Sequence, residues 1–351
     1  MGCSSDDPAT PPPSGGNEAD GGTDHDAHTE DDASTDPDGS TDDPDGSTDD
    51  PDGGDGGGSF EETVLTEGYV PRSLAVGGGW VYFTENNSIR RLPVAGGDVV
   101  SAFQIQENGV AARRVAANAD AFVWTEWDLN SSVKGAVRSC PHSGCNDTPS
   151  SFPNDESTQE VALGDDVVAW TSHSTNSVQG NSNDTKWRVQ IAAPSIPGAV
   201  AVDGTEVFYG SARQVGVGTN ALFSCDASDG SCTSTQIADL DGAPLSIAVA
   251  DNVVLVLTDA GLYRFDRGGQ NKTKLVDNSV KLNAAVVTDG TNVYWGAAGN
   301  LFACQIATCI PTTIGTVQGH QTRGLALDDD YVYWATSDAT EQLGSIRRYT
   351  R

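Results

Sequence analysis

A twelve-residue pattern recurs seven times along the chain: a short apolar run, a tight polar turn, and a run in which aromatic residues alternate with others. The last copy, residues 324–335, reads GLALDDDYVYWA, which predicts two antiparallel strands joined by a turn. The copies begin at residues 73, 114, 160, 199, 246, 285 and 324. A repeat of about 40–45 residues with four strands is typical of one propeller blade. The pattern therefore predicts an all-β fold, a seven-bladed β-propeller.

The same pattern predicts where each strand lies within its blade. The apolar run before the turn is predicted to be the innermost strand, because small side chains fit the crowded centre of the ring. These small residues are Ala75, Ala116, Ala162, Ala201, Ala248 and Ala326. The aromatic residues after the turn are predicted to pack between neighbouring blades rather than to stack on a ligand. They are Trp80, Tyr82, Trp124, Trp170, Phe208, Tyr294, Trp295, Tyr333 and Trp334.

The two ends of the repeat region indicate how the ring closes. The last repeat stops after residues 345–350, SIRRYT, which read as a third strand with no fourth strand behind it. Residues 60–66, FEETVLT, have a strand pattern and precede the first repeat. We predict that residues 60–66 form the outer strand of blade seven, which closes the ring and leaves no open sheet edge.

Charge divides the chain into two parts. The formal net charge is −31, and residues 1–59 hold sixteen Asp, two Glu and no Lys or Arg, so they carry −18 and leave −13 for residues 60–351. The first part has too few apolar side chains to offset the entropy of ordering, so we predict a disordered acidic tether at 1–59 and a propeller at 60–351. Its Asp-Gly units lack the terminal bidentate carboxylate of a calcium loop, which favours a solvated spacer. The acidic balance argues against nucleic acid as a partner.

Six of the seven cysteines come in close pairs, each after the third strand of a repeat. The pairs are Cys140/Cys145, Cys225/Cys232 and Cys304/Cys309, in blades two, four and six. We predict a disulfide within each pair, which places the protein in an oxidising compartment outside the cytosol. Zinc binding is the alternative, although the gaps between the cysteines are wider than zinc sites usually have.

The seventh cysteine, Cys3, has no partner in the sequence. A small residue followed by cysteine, here Gly2-Cys3, is how a bacterial lipoprotein signal ends, so we predict a lipid on Cys3. The propeller is then anchored to the bacterial cell envelope, at the outer membrane. N-myristoylation is one alternative, but it requires Ser or Thr where Asp6 stands, and a free cysteine without a role is another. No apolar run approaches the length of a membrane-spanning helix.

Several phrases of the repeats resemble those of known propellers. Residues 329–334 read DDYVYW, residues 292–296 read NVYWG and residues 344–348 read GSIRR. They resemble the recurring Val-Tyr-Trp-Thr and Gly-x-Ile-x-Arg phrases of YWTD-like and NHL-like propellers, and the added cysteine pairs are similar to secreted lipoprotein propellers of myxobacterial type. The resemblance covers residues 60–351. It implies the fold, and it implies no particular activity because such propellers host many functions.

Catalytic signatures are sparse in the propeller. It holds three histidines, His142, His173 and His320, and no two lie at a metal-ligand spacing. There is no GxSxG elbow and no phosphate-binding loop, so we predict no cofactor and no metal. Residues 328–330, three aspartates in a row, are predicted to form a solvated turn.

We predict a monomeric, non-enzymatic binding or interaction scaffold. The alternative is a propeller enzyme, such as a lactonase-like hydrolase or a lyase, with carboxylates or histidines at the channel mouth.

The residues just before the repeats supply a candidate ligand site instead. These predicted channel-mouth positions are Arg72, Arg113, Gln159, Gly198, Leu245, Ala284 and Arg323. Ring closure makes blades seven, one and two consecutive, so their three arginines form a basic arc, with Arg114 and His320 beside it. Long loops on blades seven, two, three and four share this face, including Trp127 and residues 172–185. The arc predicts an anionic ligand or an acidic protein segment as partner, bound through guanidinium contacts.

Local ion pairing is the alternative interpretation of the same arginines. Glu85 could neutralise Arg72, and Glu126 could neutralise Arg113. Surface ion pairs of this kind are common and usually incidental.

Overall fold

The computed structural model describes residues 60–351, with the exception of 131–134, 153–156, 183, 215, 217 and 278–281. For residues 282–284 it describes the backbone but not the side chains. The described residues form 28 β-strands, grouped in seven four-stranded antiparallel sheets. The predicted all-β, seven-bladed propeller is therefore confirmed. The acidic tether and Cys3 lie outside the described residues. None of the described residues belongs to a helix with the length and apolarity needed to cross a membrane.

The strands follow one another in the order in which they build the blades. The first strand and blade one are β1 (Glu62–Glu67), β2 (Ser73–Gly77), β3 (Trp80–Glu85), β4 (Ser88–Pro93) and β5 (Val100–Gln104). Blade two is β6 (Val110–Ala117), β7 (Ala121–Asp128), β8 (Gly135–Pro141) and β9 (Ser150–Phe152). Blade three is β10 (Thr158–Leu163), β11 (Val167–Ser172), β12 (Ser177–Ser182) and β13 (Thr185–Gln190). Blade four is β14 (Ile196–Asp203), β15 (Glu206–Ala212), β16 (Ala221–Asp226) and β17 (Thr235–Asp239). Blade five is β18 (Pro244–Ala250), β19 (Val253–Thr258), β20 (Gly261–Asp266) and β21 (Thr273–Asp277). Blade six is β22 (Leu282–Thr288), β23 (Asn292–Ala297), β24 (Asn300–Gln305) and β25 (Thr312–Thr316). The last strands are β26 (His320–Leu327), β27 (Tyr331–Asp338) and β28 (Gly344–Thr350).

Blade seven is completed by the start of the propeller, as predicted. Its strand order is β1-β28-β27-β26, so β1 is the outermost strand of a sheet whose other strands are the last three of the chain. β1 pairs antiparallel with β28, with Thr63 opposite Arg348. Both ends of the propeller are thus held in one sheet. The pairing with β1 covers the edge of β28 that would otherwise be exposed.

The core lies between the blades and near the ring axis, where the sequence pattern places it. The six small residues predicted for the innermost strands all line the central channel. Of the nine aromatic residues predicted to pack, eight are buried. Trp80 is half-buried, and the guanidinium of Arg91 lies 4.1 Å from its ring. The aromatic positions therefore stabilise the fold by filling the space between blades, as expected.

All three predicted disulfides are present, and the zinc alternative is wrong. Cys140–Cys145 and Cys225–Cys232 each have a Cα–Cα distance of 5.3 Å, and Cys304–Cys309 has one of 4.9 Å. Each bond links the end of the third strand of a blade to the loop that follows it. Disulfides persist in oxidising environments, so the protein belongs in an extracytoplasmic compartment.

Candidate functional site

One face of the ring carries the segments that enter the innermost strands and the loops between the second and third strands; we call it the mouth face. The innermost strands of blades two to seven have an irregular register near this face. In β6 the register shifts between Ala112 and Val115, and in β26 it shifts between Thr322 and Gly324. The residues inside these two irregularities are Arg113, Arg114 and Arg323. A bulge re-aims a side chain, which explains how arginines of an inner strand reach the mouth face.

A pocket of about 510 Å³ opens on the mouth face across blades seven, one and two. Arg72, Arg113, Arg114 and Arg323 line it, and we call it the arginine pocket. Trp127, from the end of β7, lines it too. Five of the six residues proposed from sequence are therefore brought together in one cavity, whose size lies within the range of small-molecule sites.

Two of the arginines share one carboxylate. Glu341 lies in the loop between β27 and β28, and its two carboxylate oxygens accept from Arg72 Nη2 at 2.8 Å and from Arg323 Nη2 at 3.1 Å. Arg323 also donates from Nε to Ser337 Oγ at 2.6 Å. Glu341 has a φ of 52°, which is uncommon outside glycine and asparagine. One negative charge thus holds two positive charges across the junction of blades seven and one.

Arg114 is neutralised by blade three. Its Nε donates to both carboxylate oxygens of Glu160, at 2.8 and 2.9 Å, and its Nη1 donates to the backbone carbonyl of Arg72 at 3.1 Å. The guanidinium is therefore committed to the scaffold that frames the pocket. Glu160 was not among the residues proposed from sequence, and it is recognisable only once blades two and three are placed side by side.

Of the four arginines that line the pocket, Arg113 is the one that has no ion pair within the described part of the chain. Its guanidinium carbon lies 5.0 Å from the centre of the Trp127 ring, in cation–π contact. Among the described residues, Arg113 has no carboxylate within ion-pair distance and its side chain makes no hydrogen bond. Burial lowers the pKa of Arg113 from its ordinary value, the neighbouring Arg114 lowers it further, and Glu160 acts in the opposite direction. A half-buried guanidinium in contact with an indole ring, and without an ion-pair partner among the described residues, therefore lines the cavity.

The local pairings expected from sequence are wrong. Glu85 accepts from Arg90 Nε at 2.7 Å and from the backbone N–H of Val70 at 2.8 Å, so it does not bind Arg72. The strand register explains this, because the β3–β4 hairpin ends at Glu85 and Ser88 and places Arg90 on the same side of the sheet.

Glu126 does not bind Arg113 either. It is buried, and it accepts from Trp124 Nε1 at 3.0 Å and from Arg138 Nε at 2.9 Å. Trp124 lies opposite Arg138 in the β7–β8 register, two residues from Glu126 on the same face. Both candidate carboxylates are therefore used within their own blades, Glu85 by Arg90 and Glu126 by Arg138.

Two further expectations about this face need correction. His320 is not part of the pocket lining; its Nδ1 lies 3.2 Å from Thr336 Oγ1, and its backbone is paired with Asp338. Residues 172–185 do not form a long loop, because β11 runs to Ser172 and β12 begins at Ser177. The polar composition of that stretch conceals a strand whose hydroxyl side chains are buried, such as Ser177 and Ser182.

The central channel differs in chemistry from the arginine pocket. A cavity of about 330 Å³ on the axis is lined by three consecutive residues from each of the seven innermost strands. Apart from Thr288, these residues are Ala, Val, Leu and Ile. The described channel lining therefore supplies no carboxylate or imidazole for acid–base chemistry.

The remaining histidines and the aspartate run are engaged in the scaffold. His142 lies 2.8 Å from the Tyr82 hydroxyl through Nδ1. His173 Nε2 lies 2.9 Å from the backbone carbonyl of Pro197, and burial lowers the pKa of His173. Asp328 accepts backbone hydrogen bonds within its own turn and one from the Tyr333 hydroxyl. In the part of the chain that the structure describes, no three His, Cys, Asp or Glu side chains are grouped to hold a metal.

Comparison with known proteins confirms the architecture. No protein-family model matches the sequence, and no curated protein matches it either. A chain in the crystal structure of the mitotic checkpoint complex matches with a TM-score of 0.61 and 11% identity, over 82% of this chain and 92% of that one. A prolyl endopeptidase matches with a TM-score of 0.59 and 15% identity, over 81% of this chain and 47% of that one. A chain of the nidogen/laminin complex matches with a TM-score of 0.51 and 12% identity, over 70% of this chain and 97% of that one. At these identities the likeness shows the propeller fold alone.

Proposed function

We propose that this protein is a non-enzymatic binding protein of the cell envelope, whose propeller binds an anionic ligand in the arginine pocket. The observation that carries the proposal is Arg113, stacked on Trp127 and without a carboxylate partner among the described residues. The other three arginines of the pocket are held by Glu341 and Glu160. An isolated cation in a half-enclosed site is costly to keep unless a ligand compensates it.

The charge balance of the pocket supports an anion over a cation. Four arginines face Glu341, Glu160 and the exposed Glu107 at the rim, which leaves a net charge of +1. The whole propeller carries −13, so this is a local reversal of sign. A positive pocket in an acidic surface attracts anions selectively. The cavity volume of about 510 Å³ favours a small molecule or a short chain end over a long acidic segment.

The prediction that tests the site replaces Arg113 with methionine. We expect Arg113→Met to weaken the binding of an organic anion about tenfold or more, because a charge-assisted hydrogen bond contributes about 1.5–3 kcal/mol. The probes are phenylacetate, phenyl phosphate and phenyl sulfate, and the measurement is isothermal titration calorimetry. The matched control is Arg213→Met, which removes an exposed arginine from blade four outside the pocket. Equal binding by the two variants, or no binding of any probe to the unaltered protein, would overturn the proposal.

The proposed location at the cell envelope is based on the disulfides and on Cys3. The disulfides favour an extracytoplasmic compartment, and a lipid on Cys3 with residues 4–59 as a spacer would hold the propeller away from the outer membrane. The repeat phrases resemble those of YWTD-like and NHL-like propellers, and the cysteine pairs resemble those of myxobacterial lipoproteins. Both resemblances support a location at the cell envelope, which stays a prediction.

Replacement of Cys3 tests the anchor. We expect Cys3→Ser, made in the protein as its own host expresses it, to move the protein from the membrane fraction to the soluble fraction, because the acyl chains supply most of the membrane affinity. Ser4→Ala is the control and is expected to stay with the membranes. Mass spectrometry of the amino-terminal peptide checks for the lipid directly. Membrane association of Cys3→Ser equal to that of the control counts against the anchor.

A further inference from the structure

The stacking of Arg113 determines which groups on the guanidinium remain open to a ligand. The guanidinium carbon of Arg113 lies over the Trp127 ring, 5.0 Å from its centre, and the guanidinium N–H groups donate to none of the described residues. Those N–H groups form the fork that matches a carboxylate in two parallel hydrogen bonds. Stacking and carboxylate binding use different sides of the same group, so both can occur together. The contact with Trp127 also restricts the rotamers of Arg113 before any ligand arrives.

Part of the pocket lining is apolar. Val110, Ala111, Ala112 and Leu129 line the pocket together with Trp127. Leu129 is 62% exposed, so its side chain adds apolar surface that the described residues leave open at the pocket. An apolar group on the ligand would bury this surface when the ligand's charge reaches Arg113. The pocket therefore combines apolar lining surface with an arginine that pairs with no described carboxylate.

Glu341 decides how much negative charge the pocket accepts. Its two oxygens each accept from one guanidinium, that of Arg72 and that of Arg323, so both arginines are already ion-paired when the additional oxygens of a phosphate arrive. A second negative charge on a ligand would also face the carboxylate of Glu341 in the same cavity, which is repulsive. Discrimination against a competitor commonly relies on such a repulsive element.

Resting on the proposed function, we propose that the arginine pocket selects a single carboxylate that carries an apolar group, and that Glu341 is the residue that discriminates against dianions. The carboxylate binds the fork of Arg113, and the apolar group packs on Trp127 and Leu129. Free acids such as arylacetates have this chemistry, and so does the C-terminus of a peptide that ends in an apolar residue.

The first experiment measures selectivity in the unaltered protein by isothermal titration calorimetry. Four probes separate the features of the ligand: phenylacetate, the uncharged phenylacetamide, acetate without an apolar group, and phenyl phosphate, which is mainly a dianion at about pH 7.5. We expect phenylacetate to bind about tenfold or more tightly than each of the other three. Equal binding of phenylacetamide, or tighter binding of phenyl phosphate, would overturn the inference.

The second experiment assigns the selectivity to Glu341. We expect Glu341→Gln to tighten phenyl phosphate binding about tenfold, because it frees Arg72 and Arg323 and removes the repulsion, and to change phenylacetate binding less than about threefold. Glu107→Gln is the matched control, since it removes one negative charge from the same rim without separating an ion pair among the described residues. If both variants change phenyl phosphate binding equally, Glu341 has no specific role and the inference fails.

Two further probes separate the sources of the carboxylate, and the results distinguish this inference from the proposed function. The binding of N-acetyl-alanyl-leucine is compared with that of its C-terminal amide and with that of phenylacetate. Tighter binding of the free-acid dipeptide than of phenylacetate identifies a peptide C-terminus as the source, and the reverse order identifies a free acid. If no anion binds, the proposed function itself fails. If phenyl phosphate or phenyl sulfate is preferred, the anion site stands and only its carboxylate selectivity is wrong.

Discussion

A propeller that lacks residues 60–67 is expected to lose its soluble, folded state. Without β1, the outer edge of β28 exposes the backbone groups that now pair with Thr63 and its neighbours. Arg347 loses its ion pairs with Glu62 and Glu67, and the Tyr349 hydroxyl loses Glu62 as acceptor. Several ladder hydrogen bonds at about 1 kcal/mol each are lost with these contacts. The total approaches the 5–15 kcal/mol that is roughly the whole stability of a domain.

The measurement is soluble yield together with urea unfolding, and the control is a chain that lacks only residues 1–59. The control keeps β1 and is expected to unfold at the same urea concentration as the full chain. A synthetic peptide of residues 60–67, added to the shortened protein during refolding, is expected to restore part of the soluble yield. Unchanged unfolding after the loss of residues 60–67 contradicts the closure of the ring by β1.

Trp334→Ala is expected to be the most destabilising single substitution considered for the core. Trp334 is fully buried between blades six and seven, in contact with a cluster that includes Tyr294 and Tyr349. Its Nε1 donates to the hydroxyl of Thr322 at 3.1 Å. Truncation leaves a large cavity and removes the donor, so we expect a loss of about 3–5 kcal/mol in the free energy of unfolding.

Two variants separate these contributions when unfolding is measured in urea. Trp334→Phe keeps an aromatic ring but no donor, and we expect it to cost clearly less than Trp334→Ala. Trp80→Ala alters the aromatic position that is half-buried at the edge of blade one, and its expected cost is about 1 kcal/mol. Equal losses for Trp334→Ala and Trp80→Ala would show that burial between blades does not set the energetic role of these aromatics.

The comparison of blade two with blade three shows where sequence patterns succeed and where they fail. In both blades the apolar and aromatic periodicity located the first two strands. In blade three, the abundance of Ser, Thr and Asn in residues 172–185 predicts a loop, yet β12 lies within them. The buried hydroxyls of Ser172 and Ser177, both hydrogen-bonded to the half-buried Thr175, replace the apolar residues that a sequence pattern detects.

In the candidate site, the sequence predicts where the arginines lie but not which carboxylates they contact. The position just before each repeat was enough to expect Arg72, Arg113 and Arg323 on one face. It was not enough to assign partners, because Glu341 reaches Arg72 from a loop 269 residues away along the chain, and Glu160 reaches the neighbouring Arg114 from blade three. Glu85 and Glu126 were closer in sequence, but the strand register directed them to Arg90 and Arg138.

The sequence by itself determined the features that repeat or act locally: seven blades, the innermost and aromatic positions, the disulfides and the closing strand. Each of these depends on a period, a short spacing or the strand pattern at one end of the repeats, and these are properties of neighbouring residues in the chain. The tertiary structure alone decided which carboxylate pairs with each arginine of the pocket, and that Arg113 has none among the described residues. That outcome depends on bulges in the inner strands and on side chains that meet across blades, and both are set by the packing of the closed ring.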